Sequence, residues 1–296
     1  MSQCTIGLDI GGTTYSSSLF DEKLNIIYKS KKELISDSPT IELLLDSLCK
    51  QLSHILDNNS NIVGIGVACP GPLDSKNGII LDTPNLKILQ NINLKKELES
   101  RLHLPICIDN DANLFALGEW FLSGGNDDEI LGGITLGTGL GFGIIINGKI
   151  YSGAHGLAAE YAISPIDKGN WESKVSIKAI EKISQKYFEN QRLNPKDLFE
   201  MAERGDSNAI SIWKEFGANL GLPLSHFINL IDPHKILIGG GISNAFKFFN
   251  ESMIDTIKKH SPSYNNFKIE ISESSYKELS SQLGAAVLVK GYNKEK

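Results

Sequence analysis

The apolar residues of the chain change their spacing from one stretch to the next, and each spacing predicts an element. Over 4–10 they alternate as in a strand, Gly11-Gly12-Thr13-Thr14 makes a turn, and 15–20 and 25–29 continue as strands, together a meander. From Ile41 the positions Leu44, Leu45, Leu48, Leu52, Ile55 and Leu56 fall on one helical face, with Pro39 at the start, where its missing N–H costs least. A strand over 62–68 runs into Cys69-Pro70-Gly71-Pro72, a short helix follows over 94–102, and a strand over 105–109 leads to a helix over 114–121. The first third is therefore expected to be a mixed sheet covered by helices.

The plan then recurs. Residues 130–136 and 142–146 read as strands on either side of Gly137-Thr138-Gly139-Leu140-Gly141, and Asn147-Gly148 turns into a further strand at 149–151. Helical spacing dominates 174–188, 195–204 and 208–231, where Pro223 predicts a kink or break. A strand over 235–238 then enters Gly239-Gly240-Gly241, and a helix opens at Ser243. Two β-rich lobes, each opened by a glycine turn, imply a cleft between them. We place the division at 108/109: a small lobe 1–108, on which a C-terminal helix 281–296 packs back, and a large lobe 109–280.

Length and composition narrow the class. The 296 residues suit two domains at roughly 150 each, and a chain 41% hydrophobic and 22% charged has the make-up of a folded globular protein. Twenty-nine Lys and Arg against 35 Asp and Glu leave a net charge of −6 with no long basic run, which argues against nucleic acid and anionic membrane as partners. No apolar run approaches the roughly 18 residues of a membrane span, and the N-terminus lacks a basic-then-apolar leader, so a cytoplasmic protein is expected. Cys4, Cys49, Cys69 and Cys107 stand far apart in apolar stretches, as buried thiols do.

The candidate chemistry sits in the turns. Asp9-Ile10-Gly11-Gly12-Thr13-Thr14 puts a carboxylate at a strand end, then two glycines whose backbone can approach an anion, then hydroxyls able to donate to phosphate oxygens. Taken alone, the same residues also suit a Gly-Gly hairpin turn with a solvated Asp. Gly137-Thr138-Gly139-Leu140-Gly141 is a second such turn, without the lysine of a P-loop or the strand–helix setting of a dinucleotide fingerprint. Gly239-Gly240-Gly241, between strand and helix, leaves room for a flat ligand such as adenine, and the three turns together suggest one nucleotide site. Asp109-Asn110-Asp111-Ala112-Asn113 gathers polar side chains where a strand meets a helix. Capping takes one or two of them, and the remaining Asp is a candidate general base for a hydroxyl nucleophile. Glu160 and Glu172 are further candidates, because a carboxylate can accept hydrogen bonds from adjacent sugar hydroxyls.

In order and spacing, Asp9-Ile10-Gly11-Gly12-Thr13, Pro70-Gly71-Pro72, Asn110-Asp111-Ala112-Asn113, the Gly137 to Gly141 turn and Ile238-Gly239-Gly240-Gly241 resemble the ROK family of sugar kinases and repressors, over nearly the whole chain. The resemblance implies an α/β, two-lobed, actin-like and ribonuclease-H-like ATPase fold with a cleft between the lobes. It implies phosphorylation of a hexose at the 6-hydroxyl with ATP and Mg2+, glucose first, with N-acetylmannosamine or N-acetylglucosamine as alternatives. Position by position it implies Asp111 as the base, Asn110 orienting the sugar, Gly71 approaching it, and Glu160 and Glu172 accepting its hydroxyls. Asp9 is implied to act on Mg2+ through water. Gly11, Gly12, Thr13, Thr14, Gly137, Thr138 and Gly139 are implied to surround the phosphates, and Gly239, Gly240 and Gly241 to border adenosine. Asn85, in Thr83-Pro84-Asn85-Leu86, is either another sugar contact or a turn-stabilising residue. A homodimer is also implied, since dimers are common in the family.

The chain departs from the family at one segment. Many relatives carry G-E-x-G-H and then C-x-C-G-x-x-G-C-x-E, whose His and three Cys bind a structural zinc. Here the first reads Ala159-Glu160-Tyr161-Ala162-Ile163 and the second is shortened to Lys168-Gly169-Asn170-Trp171-Glu172-Ser173. The His and the Cys are gone together, so no zinc is expected, while Glu160 and Glu172 keep the carboxylates. The family His also contacts the sugar, and Ile163 in its place predicts a different sugar or weaker selectivity. His155 is the nearest replacement, and reads as a loop residue. A non-catalytic sugar or nucleotide sensor is the competing class. The family's repressors carry a helix-turn-helix ahead of the kinase-like part, and the Asp9 motif begins almost at the first residue, so no DNA-binding domain is expected. Polyphosphate in place of ATP stays open as the donor.

Overall fold

The computed structural model describes residues 3–84, 86–189, 191–276 and 279–294. The opening meander forms as its alternation predicts: β1 (Cys4–Ile10), β2 (Thr14–Phe20) and β3 (Ile26–Lys29) pair antiparallel, and a two-residue β4 (Glu33–Leu34) pairs with β2. The helix α1 (Ile41–Asn58) starts behind Thr40, whose hydroxyl accepts from Leu43 N–H, and its apolar stripe buries Leu44, Leu45, Leu48, Leu52 and Ile55 in the core. Next come β5 (Ile62–Cys69), a small hairpin of β6 (Leu73–Asp74) and β7 (Ile79–Ile80), α2 (Leu94–Leu102), β8 (Ile106–Asn110) and α3 (Asp111–Leu122). β5 and β8 add to β1 in parallel, giving the order β3-β2-β1-β5-β8 with β4 against β2. α3 begins at Asp111 rather than Leu114 because Asn110 caps it, its Oδ1 accepting Ala112 N–H at 2.8 Å.

The chain continues as β9 (Leu131–Leu136), β10 (Leu140–Ile146), β11 (Lys149–Ile150), α4 (Ile177–Tyr187), α5 (Pro195–Glu203) and α6 (Ser207–Ile231). Then follow β12 (Lys235–Gly239), α7 (Phe246–His260), the short α8 (Pro262–Asn266), β13 (Glu270–Glu273) and α9 (Leu279–Lys294). The second sheet is ordered β11-β10-β9-β12-β13, with β12 parallel to β9 and to β13. α6 is not broken at Pro223. An added Cβ at Gly217 would lie 2.2 Å from Phe249 O and one at Gly221 2.6 Å from Met253 O, so α6 and α7 pack backbone to backbone there, and that packing offsets the hydrogen bond the ring removes.

Packing divides the chain into two compact units, Met1–Asn126 with Gly143–Ala158 and Glu278–Lys296, and Asp127–Phe142 with Ala159–Lys277. In the first, α9 lies directly on its neighbours: a Cβ at Gly66 of β5 would stand 2.0 Å from Ala285 O, and one at Gly284 would stand 1.8 Å from Leu114 O of α3. Such close approach buries polar groups, and Gln282 satisfies them. Its Nε2 donates to Ser16 O at 3.1 Å and to Ser16 Oγ at 2.8 Å, while its Oε1 accepts from Ser18 Oγ at 2.5 Å. No helix among the described residues is long and apolar enough to cross a membrane.

Candidate active site

Parallel pairing sets the C-terminal ends of β1, β5 and β8 side by side: Asp9 lies opposite Ala68, Ala68 opposite Asp109, and Cys69 opposite Asn110. Open α/β sheets bind ligands beyond such ends. Asp109 is buried, and its Oδ1 accepts Asn110 N–H at 2.7 Å and Asn113 Nδ2 at 2.9 Å, while Asn113 Oδ1 is itself buried without a partner. Asp111 accepts Ala112 N–H at 2.8 Å in the first turn of α3, where the positive end of the helix favours a carboxylate. Burial nevertheless raises both carboxyls above their ordinary pKa, outweighing the hydrogen bonds that pull the other way.

The Cys69 thiol reports the same congestion. Burial first, and then the charges of Asp111, Asp9 and Asp109, hold it well above its usual value. Three carboxylates therefore converge on one end of the sheet, an excess of negative charge that a hard divalent cation offsets. The donor set fits Mg2+, which takes oxygen ligands, keeps several waters and binds through one or two carboxylates together with phosphate. Among the described residues no three His, Cys, Asp or Glu groups form a closed metal cage, and that mode of binding needs none.

The turn beside Asp9 is fixed by Gly11 N–H donating to Thr14 O at 2.8 Å and Ile35 N–H donating to Thr13 O at 2.9 Å. Behind it Tyr15 Oη donates to Glu33 Oε2 at 2.5 Å, lies 2.6 Å from Ser47 Oγ, and shares Glu33 with Gln51 Nε2, which donates to Oε1 at 3.0 Å. Burial and this carboxylate push the Tyr15 phenol up to about 12. The network ties the turn to α1 and leaves Gly12 and Thr13 exposed. Gly71 follows the end of β5 and joins Pro72 through a cis peptide bond.

In the second unit, Gly239 of β12 lies opposite Thr135 of β9, so the glycine turns that follow the two strands are neighbours. Gly240 adopts φ +85°, which favours glycine, and an added Cβ would lie 2.3 Å from Leu136 O; this turn rests on the end of β9. Gly137 N–H donates to Gly139 O at 3.0 Å, and Gly137 O accepts Ile177 N–H at 3.0 Å, which links the turn to the Ser176-capped start of α4. A Cβ built on Gly137 or Gly241 meets nothing, so open space flanks both turns. Glu172 braces the arrangement: its Oε2 accepts Leu140 N–H at 3.2 Å, and its own N–H donates to Ala162 O at 3.0 Å.

Rings pack the segment that holds Glu160 and Glu172. Tyr161 Oη lies 2.8 Å from Nδ1 of His226 on α6. Trp171 meets His226 edge-on at 5.5 Å between ring centres, Phe142 meets Tyr161 edge-on at 5.4 Å, and Phe142 meets Phe227 at 5.4 Å. Burial pushes the Tyr161 phenol up, and a hydrogen bond from the Trp171 side chain pulls it partly back. Residues 159–173 include neither cysteine nor histidine, and all four cysteines lie in the first unit, Cys4, Cys69 and Cys107 buried and Cys49 half-buried. The thiolate and imidazole donors of the family's zinc are missing at this place, and the residues present do not fit that metal. Ile163 is 61% exposed, and His155 is exposed in the loop after β11.

Of the expected residues, Asp9, Gly11, Gly12, Thr13, Thr14, Gly71, Asn110 and Asp111 gather at one end of the first sheet. Gly137, Thr138, Gly139, Gly239, Gly240, Gly241 and Glu172 gather at the ends of β9 and β12, and Glu160 opens a short helical turn in the segment that Glu172 closes. Asn85 lies outside the described residues. Sequence reasoning named Cys69 as a buried thiol and Asn113 within its motif but gave neither a place in the site, and it did not join Tyr161, Trp171 and His226. Asn113 stood in the motif itself, whereas the cluster joins side chains 65 positions apart, which no spacing rule reaches.

The ROK family model matches residues 5–292. The chain is 31% identical to a glucokinase of Halalkalibacterium halodurans, over 88% of this chain and 85% of that protein. It is 26% identical to the xylose repressor of Bacillus subtilis, over 93% of this chain and 70% of the repressor. A solved structure of a ROK family glucokinase from Streptomyces griseus, in complex with glucose and AMPPNP, matches with a TM-score of 0.85 and 26% identity, over 97% of this chain and 99% of that one. The architecture is the two-lobed, actin-like α/β fold of that kinase. With strands, turns and family match agreeing from end to end, the chain belongs to the ROK family.

Proposed function

We propose that the chain is a sugar kinase that moves the γ-phosphoryl group of ATP to the 6-hydroxyl of a hexose, glucose first, with Asp111 as general base. Asp111 takes the hydroxyl proton as the sugar oxygen forms its bond to the γ-phosphorus. The bond from that phosphorus to the β–γ bridging oxygen breaks, and its electron pair leaves on ADP. Burial, which raises Asp111 above the ordinary carboxylate range, makes it a stronger base than a solvated Asp. Asn110 orients the sugar, Gly71 leaves it room, Asn85 is a further contact, and Glu160 and Glu172 accept its hydroxyls. Asp9 holds Mg2+ through water; the bound ion supplies neutralisation of the phosphate charge. Gly11, Gly12, Thr13 and Thr14 with Gly137, Thr138 and Gly139 donate backbone and hydroxyl hydrogens to the phosphates, and Gly239, Gly240 and Gly241 border adenosine. We place this activity in the cytoplasm, in a homodimer.

The observation that carries the reading is the convergence of Asp9, Asp109 and Asp111 beside an exposed glycine turn, which supports a base and a cation-holding acid at one sheet end. A sugar sensor without turnover is the second reading, favoured by the likeness to a xylose repressor. The test is ADP release with Mg·ATP across glucose, mannose, fructose, allose, N-acetylglucosamine and N-acetylmannosamine. Release that depends on one of these sugars is the expected result. ATP binding with no release across the panel points to the sensor, and turnover with polyphosphate alone corrects the donor.

A further inference from the structure

We infer that Tyr161, Trp171 and His226 form a metal-free clasp that positions Glu160 and Glu172 for the sugar; the inference rests on the kinase reading above. The two glutamates bracket a segment with little regular structure of its own. A short helical turn, Glu160–Ile163, opens it, an isolated bridge pairs Pro165 with Asn170, and Glu172 N–H closes it on Ala162 O at 3.0 Å. Such a loop samples many conformations unless it is tied to something rigid.

Each glutamate has a ring as its immediate neighbour in sequence, Tyr161 beside Glu160 and Trp171 beside Glu172, and both rings reach the same imidazole. Tyr161 Oη lies 2.8 Å from His226 Nδ1, and Trp171 stands edge-on to His226 at 5.5 Å. His226 sits on α6 next to Phe227, which with Phe142 makes a floor that is 4% exposed at each residue and carries Tyr161. Two points of the loop are thus fastened to one position of a long helix, as a tetrahedral zinc would fasten them through thiolates. Aromatic side chains do this at low entropic cost, having few rotatable bonds to freeze. Tyr161, Trp171 and His226 are positioning residues, acting on the sugar through the carboxylates they hold.

The test uses full-length His226→Ala, Tyr161→Phe and His226→Gln, the last keeping an acceptor for the phenol, and two readouts. One is the kinetic split between sugar and ATP. The other is hydrogen exchange of residues 159–173 in the free protein, with and without a zinc-selective chelator. The clasp predicts that His226→Ala raises the sugar KM about tenfold with kcat and the ATP KM little changed. It also predicts faster exchange confined to 159–173 in that variant, recovery of both readouts in His226→Gln, a smaller effect in Tyr161→Phe, and no response to the chelator. Wild-type exchange in His226→Ala, an unchanged sugar KM, or loosening of the segment by the chelator each overturns it. Absence of sugar kinase activity in the wild type defeats the kinase reading instead, and the exchange readout still decides whether the clasp exists.

Discussion

Asp111 sits where two demands on a carboxylate conflict. Buried as it is, its charge is unfavourable, yet a proton acceptor must be ionised to act. Asp111→Asn keeps the shape and the bond from Ala112 N–H and removes only the charge. It is expected to cut kcat by roughly 10²–10⁴ while ATP still binds, as measured by coupled ADP release and by calorimetry. Because the folded state disfavours the ionised form, the same substitution is expected to raise the thermal midpoint, read by differential scanning calorimetry. The pH dependence follows with a definite sign. With Asp111 as the proposed base, the acid limb of kcat/KM is expected to fall off above the usual Asp range of about 4, since its folded pKa is raised. For stability the raised pKa values of Asp109 and Asp111 work the other way. Their contribution is fully present below the unfolded value of about 4 and is lost as pH rises through the folded values, so Asp111→Asn flattens that part of the stability profile.

Among elements, the glycine turns and α9 owe their placement to the absence of side chains. Gly240→Ala forces a Cβ to within 2.3 Å of Leu136 O at φ +85°, a local strain of about 1–3 kcal/mol, and is expected to weaken ATP binding about tenfold or more by displacing the turn from the end of β9. Fluorescence titration with a nucleotide analogue reads it. Gly284→Val drives α9 away from α3, where Leu114 O leaves only 1.8 Å, and is expected to lower stability by more than about 2 kcal/mol in urea unfolding. Elements whose own residues carry the signal were legible in the sequence: β1 by its alternation, and α2, expected over 94–102 and found at Leu94–Leu102, where Asn93 caps it. Those specified by their neighbours were not. The half-exposed β13 exists because β12 offers it a parallel edge, and α6 stays whole across Pro223 because α7 packs on it.

For the whole molecule, the strands and helices of the two sheets follow from the order of elements, and the five motifs that mark the family lie at strand ends, turns and a helix start whose residues can be read directly. What the sequence withheld is the meeting of distant groups. Asp9, Cys69 and Asp109 come together through the parallel register of β1, β5 and β8, and Tyr161, Trp171 and His226 through the fold of the loop onto α6. Neither the pairing of strands distant in sequence nor the docking of a loop on a helix has a local signature. Sugar phosphorylation through Asp111 is tested most directly by phosphorus NMR of the product. Wild type and Asp111→Asn are incubated with Mg·ATP and each of the six sugars. A 6-phosphosugar and ADP are expected from the wild type with at least one sugar, and none above background from the variant. A variant that makes phosphosugar at the wild-type rate, or a wild type whose phosphoryl group ends only on water, contradicts this expectation.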